Sequence, residues 1–109
     1  MSSYNQHSEV KLMHGEYVAR IKNYGQKDWI RACEKLSLCV RSDYGKGAHA
    51  VAYSSEILPP TSDMVVLTIP SNLYSAIQRD FVKKVVGYGA RSERYTELDV
   101  WKALNIIVK

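Results

Sequence analysis

A chain of 109 residues, 46% of them hydrophobic, has the size of one domain, with apolar content for a single compact core and no room for a second. Its 15 Lys and Arg against 11 Asp and Glu leave a net charge of +4, spread as small surpluses over residues 1–26, 27–87 and 88–109, so charge alone points only weakly to nucleic acid. The apolar runs fall far short of the ~20 residues of a membrane-spanning helix, and the polar start MSSYNQHSEV lacks a signal peptide's apolar region, so a cytoplasmic protein without a membrane partner is expected.

Taken in order, residues 1–7 read as disordered. From Ser8 to about Asn23, Val10, Met13, Tyr17 and Ile21 recur at spacings of three and four, which predicts an amphipathic helix capped by Ser8 with Gly25 past its end. The segment EYVARIKNY also fits an alternating strand. KDWIRACEKLSL is the clearer helix, with Trp29, Cys33 and Leu36 in one stripe widened by Ile30 and Ala32. LCVRSDY reads as a strand closed by the turn GKG. AHAVAYSS then alternates, with Ala48, Ala50 and Ala52 on one side and His49, Val51 and Tyr53 on the other. The two strands make a hairpin.

ILPPTSD is a loop by its proline pair, and MVVLTI is nearly all apolar, as expected of a strand well covered by helices. Pro70 ends that strand, and Ser71 can cap the helix that follows. Within it Leu73, Ile77, Phe81 and Val85 form an i, i+4 stripe opposite Arg79 and Lys83, and GYG is expected to stop it. TELD opens the last helix, with Thr96 as cap and Asp99 three residues on. Val100, Ala103, Leu104 and Ile107 give it an apolar side, and Trp101 reads as a packing anchor. The fold class is α+β: a helix–strand–strand–strand–helix core with a three-stranded antiparallel sheet, one face buried and the other available, plus extra N- and C-terminal helices.

Cys33 and Cys39 form no CxxC and have no second pair at metal-ligand spacing, so both read as small core hydrophobes. Of the three histidines, His7 and His14 lack a rigid setting. His49 stands on a hairpin strand beside a glycine turn, where backbone can approach a ligand closely. An isolated histidine of this kind is more often structural than catalytic. Lys46 alongside favours chemistry, because its charge can hold a phosphate while an imidazole moves a proton near neutral pH. Tyr44, Tyr53 and Tyr88 can stack on unpaired bases, or can simply mark the margins of strands and helices. No paired carboxylates with a setting, GxSxG, Walker loop or strand-preceded GxGxxG is present.

Several segments together resemble the HicA family, mRNA interferase toxins of type II toxin–antitoxin systems. KDWIRACEKL resembles that family's opening helix, GKGAHAVAY its Gly-Ser/Thr-His turn and strand, and LTIPSNLYSAIQRDFVKKVVGYG its third strand, proline and closing helix. The resemblance spans residues 26–89, leaving 1–25 and 90–109 as extensions of one domain. It implies an α-β-β-β-α fold like that of the double-stranded-RNA-binding domain, and cleavage of RNA by one histidine without metal or cofactor. His49 matches that histidine and Gly47 the motif glycine, whereas Ala48 stands where the family has serine or threonine. The implied reaction is attack by a ribose 2′-hydroxyl on its own phosphate, with Lys46 and Arg41 steadying the developing charge and Tyr44 and Tyr53 as stacking candidates. The implied partners are mRNA and a HicB-type antitoxin that covers His49. Ala48 also leaves room for a noncatalytic RNA-binding or antitoxin-binding module of the same fold.

Overall fold

A computed structural model of the chain describes residues 10–42, 49–54 and 64–107. The sequence-based disorder at 1–7, the cap Ser8, the GKG turn and the ILPPTSD loop lie outside the described residues. The elements are a 3-10 helix Gly15–Ile21, then α1 (Gln26–Lys35), β1 (Cys39–Arg41), β2 (Ala50–Tyr53), β3 (Val65–Ile69), α2 (Ser75–Ser92) and α3 (Glu97–Ala103). The protein is thus α+β, with a three-stranded antiparallel sheet in the order β1-β2-β3.

The expected first helix is instead a short 3-10 helix. Side chains three apart eclipse one another in that geometry, and the segment uses this repeat twice. Val18 and Ile21 are buried together, while the His14 ring stacks on Tyr17 at 5.3 Å and the Arg20 guanidinium lies 5.9 Å from the same tyrosine. Tyr17 meets the buried Trp101 edge-on at 5.3 Å, which seats the segment on α3.

The helix α1 forms as its stripe predicts, with Trp29, Ala32 and Cys33 buried. The Asp28 carboxylate accepts from the Gly25 N–H at its start (2.9 Å), and Gln26 Nε2 donates to the Ile69 carbonyl (3.0 Å), joining α1 to the end of β3. Trp29 is fully buried, edge-on to Phe81 at 5.4 Å, and its indole N–H donates to Gln78 Oε1 at 2.7 Å. Gln78 in turn donates to the Tyr24 carbonyl at 3.0 Å. A buried amide therefore joins α1, α2 and the segment between the first two helices, with both ends of the amide satisfied.

Helices α1 and α2 cover one sheet face, burying Ala50 and Ala52 of β2 and Leu67 and Ile69 of β3. The helices cover β3 on one face, as the sequence reading of the sheet expects: Leu67 and Ile69 are buried, whereas Thr68 between them is exposed on the open face. Cys33 lies in the core, whereas Cys39 is half-buried at the start of β1.

Both boundaries of α2 differ from the sequence reading. No serine caps α2: the chain bends at Ser71 and Asn72, and the helix begins after Tyr74. Nor does GYG stop it, since α2 runs on to Ser92. Gly89 is there for close packing, because a Cβ at that position would lie 2.3 Å from the Tyr95 ring. The helix ends instead at Glu93, with φ 60°, and the Arg94 N–H bonds the Gly89 carbonyl. Ser37 after α1 and Asn105 after α3 have the same left-handed backbone, so all three helices end without glycine. The start of α3 is as the sequence predicts: Thr96 accepts from the Asp99 N–H, and the Thr96 N–H and hydroxyl hold the Asp99 carboxyl below its usual range.

Candidate functional site

Along β2, residues alternate between the two faces of the sheet. Ala50 and Ala52 are fully buried under the helices, and Val51 between them is half-buried on the other face. Val51 is aligned with Arg41 of β1 and Thr68 of β3, so these three residues form a row across the open face. His49, exposed, stands two residues before Val51 where the strand begins. The next residue, Ala50, is aligned with Ile69, whose carbonyl is held by Gln26. An exposed imidazole is thus mounted on a strand anchored to both β3 and α1, with the half-buried Arg41 on the neighbouring strand.

The remaining expected site residues divide. Tyr44, Lys46, Gly47 and Ala48 lie outside the described residues. The alternation of the sequence puts Tyr53 on the face of His49 with its ring offered to a base. In the structure it is only 7% exposed, because the pairing of β2 with β3 shifts between Ala52 and Tyr53 and breaks the alternation. Tyr88 is also engaged: its hydroxyl accepts from Arg94 Nη1 at 2.7 Å, and the guanidiniums of Arg94 and Arg91 lie 5.6 and 6.0 Å from its ring centre. His14, set aside on sequence grounds, is stacked on Tyr17 in a structural cluster.

Three groups that the sequence reading missed tie segments distant in the chain to one another. The Glu97 carboxylate, 6% exposed, accepts from the N–H groups of Met13 and His14 (both 2.8 Å) and from Trp101 Nε1 (2.9 Å). Burial alone would raise its pKa, but the bonds from Trp101, Met13 and His14 outweigh that and hold the carboxyl below the ordinary value. Arg94 bonds the carbonyls of Ser54 and Ser37 (2.7 and 2.8 Å), clamping the end of β2 to the turn after α1. Gln78 is the third. In the sequence each looks like a surface residue, and only Glu97 carries a local signal, as the first residue of a capped helix.

Clefts of about 380, 340 and 440 Å³ gather around Tyr88, Arg94 and Tyr95, at the end of β2 opposite His49. His49 lines none of these three clefts and stands exposed at the start of β2. Among the described residues, no group of three or more His, Cys, Asp and Glu is placed to hold a metal ion, and no helix is long and apolar enough to cross a membrane. Comparison with protein-family models, curated proteins and solved structures finds no match to this chain.

Proposed function

We propose that this chain is a metal-independent endoribonuclease of the HicA kind, the toxin of a type II toxin–antitoxin system, with a fold like the double-stranded-RNA-binding domain and His49 as its catalytic residue. The observation that carries the reading is the exposed His49 at the anchored start of β2, beside a row led by the cationic Arg41. The element order α1-β1-β2-β3-α2 supports it, being the order the resemblance implies.

In this reading RNA lies over the open face with a phosphate near His49. The substrate's 2′-oxygen attacks the adjacent phosphorus as the imidazole takes the hydroxyl proton; the bond from phosphorus to the 5′-oxygen breaks, and the imidazolium returns the proton to that oxygen as it leaves. Atoms balance without a water or metal in the cleavage step, and the products are a 2′,3′-cyclic phosphate and a 5′-hydroxyl. Arg41 and Lys46 offset the charge gathering on the phosphate, and Gly47 lets backbone approach it. DNA lacks the internal nucleophile and stays intact. A HicB-type antitoxin inhibits by covering the His49 face.

The test compares wild type with His49→Ala on long single-stranded RNA in the presence of a chelator. Cleavage by wild type alone, with both proteins unfolding at the same temperature, supports the reading; cleavage by both, or by neither, sinks it. The missing hydroxyl at Ala48 favours a second reading, a noncatalytic RNA-binding or antitoxin-binding module. RNA retained uncut by wild type would select it.

A further inference from the structure

Six tyrosines lie among the described residues, and five are engaged within the fold. Tyr17 sits between His14 and Trp101, Tyr24 donates its hydroxyl to the Leu104 carbonyl at 2.6 Å, and Tyr53 is buried. Tyr88 is held by Arg94, and the Tyr95 hydroxyl donates to the Val85 carbonyl at 2.8 Å. Tyr74 is the exception. Its side chain is 62% exposed, and no ring contact or hydrogen bond joins that side chain to the other described residues. Trp29, Trp101 and Phe81 are buried, which leaves Tyr74 as the one Tyr, Trp or Phe ring largely open to solvent among the described residues.

Its backbone, in contrast, is held. The Tyr74 carbonyl accepts from the Ile77 N–H at 3.2 Å, and Gln78 Nε2 approaches it at 3.5 Å while bonding the Tyr24 carbonyl. The position follows from the chain path. Tyr74 comes five residues after Ile69, and Ile69 is aligned with Ala50, the neighbour of His49. Five residues reach at most ~17 Å, and Pro70 with the bend at Ser71 and Asn72 shortens the path. A free aromatic face on a fixed support thus lies within ~17 Å of Ile69, the residue aligned with the neighbour of His49.

We propose that Tyr74 is a positioning residue on which a base of single-stranded RNA stacks while the strand crosses the His49 face. The inference rests on the reading of that face as an RNA-cleaving site, and it transfers the aromatic role expected of Tyr53 to a ring that is available. Stacking needs a π-face and an unpaired base, and it does not need the phenol hydroxyl. Duplex RNA, with its bases already stacked, would gain nothing from Tyr74.

The experiment measures binding by fluorescence anisotropy in the His49→Ala background, using a labelled single-stranded RNA and the corresponding RNA duplex. Tyr74→Ala and Tyr74→Phe are added to that background, and the same two substitutions are assayed for cleavage in the protein that keeps His49. Tyr74→Ala is expected to weaken single-strand binding roughly 10-fold or more, with Tyr74→Phe restoring it and duplex binding unmoved. In the cleaving protein KM rises by a similar factor with kcat nearly constant. Unchanged single-strand binding by Tyr74→Ala in a protein that still cuts RNA would overturn the stacking role and leave the nuclease standing. Binding that depends on Tyr74 in a protein that never cuts would support stacking and refute the nuclease. No binding of wild type to RNA at all would refute both.

Discussion

Gly89→Ala tests the packing of α2 against the residues that follow it. Alanine is favoured over glycine inside a helix by about 1 kcal/mol, so on local grounds the substitution stabilises. The tertiary structure opposes it. A Cβ at residue 89 would lie 2.3 and 2.4 Å from Cε1 and Cδ1 of Tyr95 and 2.8 Å from the Tyr95 carbonyl oxygen. Carbon pairs settle at ~3.5–4.0 Å, so the ring must retreat by roughly 1 Å or more, and the backbone oxygen cannot rotate away. Tyr95 is 8% exposed, and its hydroxyl is tied to the Val85 carbonyl at 2.8 Å. Overpacking of this kind costs about 1–3 kcal/mol, and loss of the hydroxyl bond about 1 more. Set against the propensity gain, Gly89→Ala should destabilise by about 2 kcal/mol, lowering Tm by roughly 8 °C or more. Gly87→Ala is the control in the same helix. Among the described residues its Cβ meets only Val10 Cγ2 at 3.1 Å and Arg91 Nη1 at 3.5 Å, both of them side-chain atoms able to shift. That variant should stay within about 1 kcal/mol of wild type. Urea denaturation of the three proteins decides the matter: Gly89→Ala as stable as wild type would mean that Tyr95 does not pack on residue 89 and that the course of α2 beyond GYG is wrong.

Trp29→Ala should cost about 3–5 kcal/mol by cavity formation, with Gln78 Oε1 left without its buried donor, read as a fall in the urea midpoint. Glu97→Gln replaces a carboxylate receiving three N–H groups by an amide whose nitrogen cannot accept; a loss of about 2 kcal/mol at neutral pH is expected. Because the folded protein holds the Glu97 carboxyl below its ordinary value, its contribution is complete above the unfolded value of ~4.3 and fades as pH falls through the folded one. The gap between wild type and Glu97→Gln should therefore narrow on acidification, and a constant gap would assign Glu97 a packing role only. Burial, with the nearby Glu34 adding to it, pushes the Cys33 thiol up to about 12. A thiol reagent at neutral pH should label the half-buried Cys39 first and reach Cys33 only on unfolding; equal rates would contradict the buried position.

Much of the architecture is legible because it rests on local chemistry. The Trp29–Cys33 stripe of α1, the Thr96–Asp99 cap of α3 and the alternation from Ala50 to Ala52 each follow from a periodicity or a cap that neighbouring residues complete among themselves. The errors share a cause. GYG looks like a helix stop because glycine usually is one, yet here the missing side chain makes room for Tyr95. The 3-10 helix escapes the sequence reading because the spacing of Met13, Tyr17 and Ile21 suits an α-helix, whereas Val18 with Ile21, and the support from Trp101 and Glu97, favour the tighter turn.

At the candidate site the same division holds. By itself the sequence determined the helix–strand–strand–strand–helix order, one covered sheet face, and a lone histidine at the start of the central strand, since those depend on patterns within short windows. Only the tertiary structure decided which groups stand near it: a register aligning Arg41, Val51 and Thr68, a shift that buries Tyr53, and a chain path that leaves Tyr74 bare. Such arrangements arise from contacts between residues distant in the chain, whose energies no short window contains. The polar hubs Gln78, Arg94 and Glu97 belong to the same class, because a long polar side chain shows in the sequence what it can bond and only the folded chain shows what it does bond.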